Sequence, residues 1–449
     1  MELHSFFHDA PPELDLVSIR HEWEALQRSS YSIADRHPPI PVWAQRGLSE
    51  TGPQAWGILR DEVSRIDPLR PLAIYIHIPF CARHCHFCDC YSFKLQSHRA
   101  EHIERYTALV EQEMRLWTQL GTLAHRPVST VHFGGGTPTF LGAEAFRRLV
   151  ECCRASFNTT PQTEWALEAT SSELTDDMSA LLEALHFTRL HIGVQSLEDA
   201  VRQNINRQES AAQVLDKIQA GLKRGWIVTV DMIFGLPAQT LIGYLNDLTI
   251  LSEMGVDGYS QYELQASSRN RSWIEQHHLD QRPRAVNYFF AQAGARWLAR
   301  LGYRKTLFNH WAGEHDTNLY FTFPERGEDL LALGTIADGV FGDYHYRHLA
   351  YASYCQNMND FPGLQGGLCR NALENRLHPL VTALMSGTIP ASILRETVPA
   401  ALIQRWLAAA LLAPSPSHDF ELTGNGTWLV GNMITELQKA VATEERISG

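Results

Sequence analysis

Between residues 72 and 264, six short β-rich runs alternate with amphipathic helices, and this alternation narrows the possible folds more than any other feature. The strand candidates are LAIYIHI (72–78), TVHF (130–133), EWALEAT (164–170), TRLHIGV (188–194), WIVTVDMI (226–233) and GYSQYEL (258–264). Each is rich in β-branched or aromatic residues and bounded by Gly, Pro or polar clusters. The first crossover, HRAEHIERYTALVEQEMRLWTQL, sets Ile103, Tyr106, Val110, Met114 and Trp117 on one stripe at helical spacing. AEAFRRLVECC, LTDDMSALLEAL, AAQVLDKIQAGLKRG and LIGYLNDLTILSEMG follow, each before the next strand. Thr175 caps the third of these helices ahead of acids in its first turn, and Gly225 and Gly255 stand where helices should stop. A helix after each strand requires parallel pairing through right-handed crossovers. The expectation is an α/β fold, a six-unit (β/α) partial barrel that binds ligands at the C-terminal ends of its strands.

Flanking segments differ in character. Residues 1–70 read as a Pro-rich lead-in, with DRHPPIPVW extended and QAWGILRDEVSRI helical through Trp56, Leu59, Val63 and Ile66. The barrel is expected over 71–310. A loop-rich connecting region, 311–369, faces the substrate, and a small, mostly helical, winged-helix-like domain occupies 370–449. APSPSHD (413–419) reads as a short linker, and no internal repeat is present.

The chain has 449 residues and a formal net charge of −12. Such length supports a large core without staples, so a metal site would serve function. The acidic balance argues against nonspecific binding to nucleic acid or anionic membrane. With mean hydropathy −0.22 and no apolar run near ~18 residues, no membrane span is expected. MELHSFFHDAPPELD has no basic stretch followed by an apolar one and is not read as a secretory signal, so a cytoplasmic location is expected. Of the 8 cysteines, Cys81, Cys85, Cys88 and Cys90 crowd together, which points to a metal or cofactor in a reduced compartment. Cys152 and Cys153 fall on a helix and read as core, while Cys355 and Cys369 are isolated.

The crowded motif is CARHCHFCDC, directly after the first strand. Thiolates at C-x3-C-x2-C, Cys81, Cys85 and Cys88, suit three irons of a [4Fe–4S] cluster and leave one iron open. An open iron can chelate the amino and carboxylate groups of S-adenosylmethionine (SAM) and pass an electron into its sulfonium, which releases a 5′-deoxyadenosyl radical. The alternatives are buried thiols or zinc, and zinc usually joins a C-x2-C pair to a second, distant pair. Gly134, Gly135 and Gly136 end the second strand, where missing side chains let a backbone approach a ligand closely. Glu168 and Gln195 fall near the ends of strands three and four, where carboxylate and amide suit ribose hydroxyls. Arg207 suits a carboxylate, and Asp231 is an acid inside an apolar strand. Tyr75 and His77 share one face of strand one.

With its motifs in order, the sequence resembles radical SAM proteins of the oxygen-independent coproporphyrinogen III oxidase-like family, from about Tyr31 to Asn432. The resemblance rests on YIHIPFCARHCHFCDC, HFGGGTPTFL (132–141), LEATSSEL, RLHIGVQSLED, NINRQES and VDMIFGLPAQT. It implies a radical SAM (β/α)6 partial TIM barrel holding a [4Fe–4S] cluster on Cys81, Cys85 and Cys88. It implies SAM contacts from Gly134, Gly135, Gly136, Thr137, Glu168, Gln195, Arg207 and Asp231, with Tyr75 against the bound SAM. A small-molecule substrate and a reducing partner such as flavodoxin or ferredoxin go with it. Cys90 matches a fourth cysteine found in the coproporphyrinogen-oxidising branch, close to a second SAM, whereas the haem-chaperone branch usually has an aromatic residue there. Catalytic roles are therefore expected for Cys90 and Tyr75.

Three reactions are open. Oxidative decarboxylation of coproporphyrinogen III is favoured by Cys90 and by FELTGNGTWLVGNM, but the oxidase's RYTSYP lead-in motif is replaced here by DRHPPIPV. The reading preferred from sequence is a class C methyltransferase, in which a second SAM gives a methyl or methylene carbon to an sp2 carbon. Its substrate residues are expected among His315, Asn318, Tyr320, Tyr344, His345 and Arg347. The third is a haem-binding chaperone with a vestigial SAM site, suggested by the 21 histidines.

Overall fold

The computed structural model describes residues 10–40, 42–95, 99–357, 361–417 and 419–448. The segment 1–9, on which the absence of a secretory signal is read, lies outside them. The six expected strands and their helices form β1 (Leu72–Ile78), α1 (Arg99–Trp117), β2 (Val128–Gly135), α2 (Ala143–Ser156), β3 (Glu164–Ala169) and α3 (Asp176–Ala184), and then β4 (Arg189–Gln195), α4 (Ala211–Lys223), β5 (Ile227–Phe234), α5 (Leu241–Glu253), β6 (Gly258–Glu263) and α6 (Arg284–Arg300). β1 to β6 pair in sequence order, all parallel. The stripe on α1 packs as its spacing dictates, because Tyr106, Val110, Met114 and Trp117 are fully buried. Thr175 accepts from the Met178 amide at the start of α3. Gly225 and Gly255, at φ +74° and +84°, end their helices in a conformation that other residues rarely adopt.

One expectation needs correction. The stretch after residue 310, read as loop-rich, extends the sheet at both ends. β7 (His310–Ala312) runs antiparallel to β6. β8 (Asp329–Leu333) returns to the opposite edge and lies parallel to β1. β9 (Asp338–Phe341), β10 (Tyr344–His348) and β11 (Leu364–Cys369) continue antiparallel, with Glu50–Thr51 of the lead-in beyond them. The short strand Arg304–Lys305 closes the other end, giving 13 strands in one sheet among the described residues. β8 is a continuous apolar run, LLAL after Asp329, that buries both faces and so lacks the alternation that marks a half-exposed strand.

The C-terminal part combines helices Ala372–Ser386, Ala391–Thr397, Ala400–Ala408 and Val430–Ser448 with a three-stranded antiparallel sheet. Two strands of that sheet, Leu412–Pro414 and Phe420–Leu422, take up the start of the expected linker and the segment after it; residue 418 lies outside the described residues. No helix among the described residues is long and apolar enough to cross a membrane.

Candidate active site

Every barrel strand delivers a residue to one pocket of about 510 Å3 at the C-terminal ends of β1 to β6. Tyr75, Cys81, Cys85, Cys88, Cys90, Gly135, Gly136, Thr137, Glu168, Gln195, Arg207 and Asp231 all line it. Gly134 lies just beneath, where a Cβ would come within 2.6 Å of the Glu168 carboxylate. Twelve of the thirteen residues expected to serve the cluster, SAM or the reaction thus face one space.

The cysteine loop follows β1 and is tied down along its length. Gly136 and Thr137 donate backbone N–H groups to the Ile78 and Phe80 carbonyls, which joins the end of β2 to the start of the loop. A Cβ on Gly136 would fall 3.0 Å from Cys81 Sγ and 2.6 Å from the Phe80 carbonyl, so only glycine permits this approach. Farther along, Asn206 Nδ2 donates to the His84 carbonyl at 2.8 Å, and the His86 amide donates to the Ile205 carbonyl at 3.3 Å. Asn270 Nδ2 holds the Phe87 carbonyl at 3.1 Å, while the Arg269 guanidinium holds the carbonyls of Cys90 and Ser92. The NINRQES segment therefore has two tasks: it clamps the loop and turns Arg207 toward the thiols.

Among the described residues, no three Cys, His, Asp or Glu side chains are grouped to hold a single metal ion. The residues Cys81, Cys85 and Cys88 instead line a shared open space, an arrangement that suits a multi-iron cluster in which three irons each take one cysteine sulfur. Cys88 and Cys90 share a hydrogen bond that pushes the Cys88 thiol down to about 7 and the Cys90 thiol well up.

The opposite wall is polar and incompletely paired. Glu168 accepts from His132 Nε2 at 3.0 Å and from the Gly135 amide at 3.1 Å. Burial alone would raise its carboxyl, but these hydrogen bonds and the nearby His77 outweigh burial and hold it below its ordinary value. Asp231 is different. Burial and the Glu168 charge push it up to about 7. At the end of β4 a register shift after Gly193 and a φ of +70° at Gln195 re-aim that side chain. Gln195 Oε1 and Arg207 Nε are buried there without hydrogen-bond partners among the described residues. Unsatisfied polar atoms facing a pocket are costly unless a ligand completes them. They fit a polar, hydroxyl- and carboxylate-bearing molecule such as SAM.

Below this layer the barrel interior adds two groups that sequence reading did not single out, His132 and His191, beside Tyr75, His77 and Tyr320. Tyr75 donates or accepts at His77 Nδ1, 3.1 Å away, and stacks on Tyr320, which stacks in turn on His132 at 4.1 Å between ring centres. His77 is driven down to about 4 and His191 well below its ordinary value by burial, so both are neutral near pH 7. Their signal in the sequence is positional: His132 and His191 share the inward face of β2 and β4 with Thr130, Gly134, Arg189 and Gly193, while Val131, Phe133, Leu190 and Ile192 alternate with them as buried apolar residues.

The expected substrate block is mostly elsewhere. Tyr320 lines the pocket, together with its neighbour Phe321. Tyr344 donates to Glu50, His345 stacks on Trp43 at 4.8 Å, and Arg347 pairs with Asp338 at 2.6 Å. His315 is exposed and Asn318 is buried away from the pocket lining. The reason is β10, which commits Tyr344, His345 and Arg347 to pairing within the sheet. Cys153 is buried in the core and Cys152 half-buried, while Cys355 is half-buried and Cys369 exposed.

Comparison with known proteins agrees with this geometry. The sequence pattern of the Radical SAM superfamily matches residues 75–244. An oxygen-independent coproporphyrinogen III oxidase of Salmonella typhimurium is 34% identical over 197 residues, covering 43% of this chain and 42% of that protein. The match therefore spans less than half the length of that relative. An anaerobilin synthase of Escherichia coli O157:H7 is 27% identical over 312 residues, 68% of this chain and 67% of its own. Among solved structures, the coproporphyrinogen III oxidase of Escherichia coli superposes with a TM-score of 0.74 at 22% identity, over 87% of this chain and 94% of that one, a likeness of fold.

Proposed function

Because this chain belongs to the radical SAM superfamily, with relatives among the oxygen-independent coproporphyrinogen III oxidase-like proteins, we propose that it is an enzyme acting on a tetrapyrrole. Radical SAM proteins use a [4Fe–4S] cluster and SAM, and the residues at the ends of β1 to β5 fit both. When bound, these groups supply a one-electron cleavage of SAM that yields a 5′-deoxyadenosyl radical. In this reading Cys81, Cys85 and Cys88 hold the irons. The Gly134–Gly136 backbone receives the methionyl amine, while Glu168, Gln195, Arg207 and Asp231 orient the rest of SAM. Tyr75 would pack against the bound molecule from the pocket wall, held by His77 and by stacking on Tyr320. Cys90 stands in the same pocket and, outside the three-cysteine ligand set, is placed to give up a hydrogen atom or proton to a substrate. The observation that carries the proposal is the convergence of three thiols and two orphaned polar atoms, Gln195 Oε1 and Arg207 Nε, on one pocket.

Methyl or methylene transfer from a second SAM to an sp2 carbon is the preferred reaction. Its support is the absence of the oxidase's lead-in motif and the long match to a relative whose name is not that of a coproporphyrinogen oxidase. Neither relative named above is called a methyltransferase. Oxidative decarboxylation is the second reading, and the name of the Salmonella relative favours it. The deciding experiment supplies anaerobically reconstituted protein with SAM, a flavodoxin or chemical reductant, and either coproporphyrinogen III or haem. The expected result is 5′-deoxyadenosine together with S-adenosylhomocysteine and a methylated tetrapyrrole. Carbon dioxide release without S-adenosylhomocysteine would overturn methyl transfer in favour of decarboxylation. Haem binding without any SAM cleavage would overturn both.

A further inference from the structure

Next to the cysteine pocket lies a larger chamber of about 790 Å3, within the size range of sites for multi-ring ligands. It opens between the end of β6, helix α6, the lead-in around Arg36 and residues 421–428 of the C-terminal part. Asp89, Tyr262, Glu263 and Gln265 line both spaces, so a ligand in the chamber reaches the cysteine pocket. Phe308, Trp311 and Trp428 supply broad apolar surface.

The wall carries five acidic side chains, Asp15, Glu22, Asp89, Glu263 and Glu421, and four cationic ones. Arg36, Arg284, Arg296 and Lys305 all line it. Glu263 accepts from Arg284 at 2.9 Å and from Arg36, and Glu22 accepts from Arg296 at 2.7 Å. Lys305 forms no ion pair among the described residues. Its ammonium donates to the Thr427 hydroxyl at 2.6 Å and to the Leu422 carbonyl at 3.4 Å, which leaves one of its three donors free. Burial lowers its pKa to about 8 even though Glu22 and Glu421 act the other way. A half-buried ammonium with a free donor and no ion pair is placed to take a carboxylate that a ligand brings.

We propose that this chamber receives the ring system of the substrate and that Lys305 anchors one of its carboxylates. The inference rests on the tetrapyrrole reading above and adds where the acid side chains of such a molecule are held. A single ammonium with no ion pair, in a wall that already carries five acidic side chains, suits one carboxylate rather than a phosphate dianion. The methionyl carboxylate of a second SAM has the same chemistry, so the test separates the two sources.

Full-length, cluster-reconstituted wild type, Lys305→Met and Lys305→Arg are titrated with coproporphyrin III, with its tetramethyl ester and with SAM, following quenching of tryptophan fluorescence. Iron content and circular dichroism establish that each variant is folded and loaded. The expected result is a loss of about tenfold or more in affinity for the acid with Lys305→Met, recovery with Lys305→Arg, and no change for the ester or for SAM. Equal affinity of wild type and Lys305→Met for the acid would overturn the anchor while leaving the tetrapyrrole reading intact. A loss for SAM alone would overturn it by moving the carboxylate to SAM. Wild type that binds neither acid nor ester would overturn the tetrapyrrole reading, and the anchor with it.

Discussion

At the scale of single residues, the site separates groups that hold the cluster from groups that use it. Cys81, Cys85 and Cys88 face one space without a second pair of ligands nearby, so each is expected to be indispensable for iron. Replacing any one by Ala should abolish the brown chromophore and most of the bound iron, measured by iron analysis after anaerobic reconstitution. Cys90 lines the same pocket, but its backbone carbonyl is independently fixed by Arg269. Cys90→Ala is therefore expected to keep its iron and lose product formation, and iron loss equal to that of Cys88→Ala would make it a ligand instead. Gly134 gives a finer test. A methyl group there would meet the Glu168 carboxylate, which His132 and the Gly135 amide already fix. Overpacking of this kind costs about 1–3 kcal/mol. Gly134→Ala should weaken SAM binding in equilibrium dialysis while iron content stays level; unchanged SAM affinity would separate Glu168 from SAM recognition.

At the scale of elements, His348 on β10 and Glu113 on α1 form a fully buried pair, with Glu113 also accepting from Tyr354 and from the Gly334 amide. Burial would raise the Glu113 carboxyl and lower the His348 imidazole, but each partner reverses the other's shift, so Glu113 ends below 4.5 and His348 above 6.5. The Glu113 contribution is present above 4.5 and lost as pH falls through its folded value. The His348 contribution is complete below 6.5 and lost as pH rises through its own raised value. Removing one partner of a buried pair costs about 3–5 kcal/mol. Glu113→Gln should thus lose most stability between the two ordinary values, at about pH 4.5 to 6.5, with the gap narrowing at high pH, as urea unfolding at several pH values will measure. A gap independent of pH would mean the pair is not ionic. The same elements show what a sequence can disclose. β1 to β6 were readable to within two residues because their apolar runs are framed by glycine, proline and capping residues. The site was readable because its glycines and cysteines sit at strand ends in a recognisable order. β8 was not, because a short all-apolar run fits a buried helix as well as a strand. β9 and β10 did carry a signal, since Gly342–Asp343 between alternating runs is a two-residue hairpin turn, with Tyr344, Tyr346 and His348 buried on alternate positions. The chamber beside the site is invisible locally, because its walls come from segments some 400 residues apart.

At the scale of the whole molecule, that separation makes one buried amide decisive. Asn425 is fully buried and donates to the Glu22 carbonyl at 2.8 Å and the Ala409 carbonyl at 3.2 Å, while accepting from the Tyr288 hydroxyl at 2.6 Å. It therefore ties helix Leu16–Gln27 of the lead-in, α6 of the barrel and the C-terminal part at a single point. Its neighbours Gly424 and Thr427 line the chamber with Glu22 and Lys305, whereas the cysteine loop is held by a separate set of residues, Asn206, Arg269 and Asn270. Asn425→Ala would strand three buried polar groups, each costing about 1–3 kcal/mol if left unsatisfied. The variant should unfold at a lower temperature and bind coproporphyrin III more weakly, yet reconstitute its iron like wild type. Parallel loss of iron and porphyrin affinity would mean that the two spaces are one structural unit. Retained iron with weakened porphyrin binding would show instead that cluster assembly belongs to the barrel and that substrate capture depends on the segments packed across its mouth.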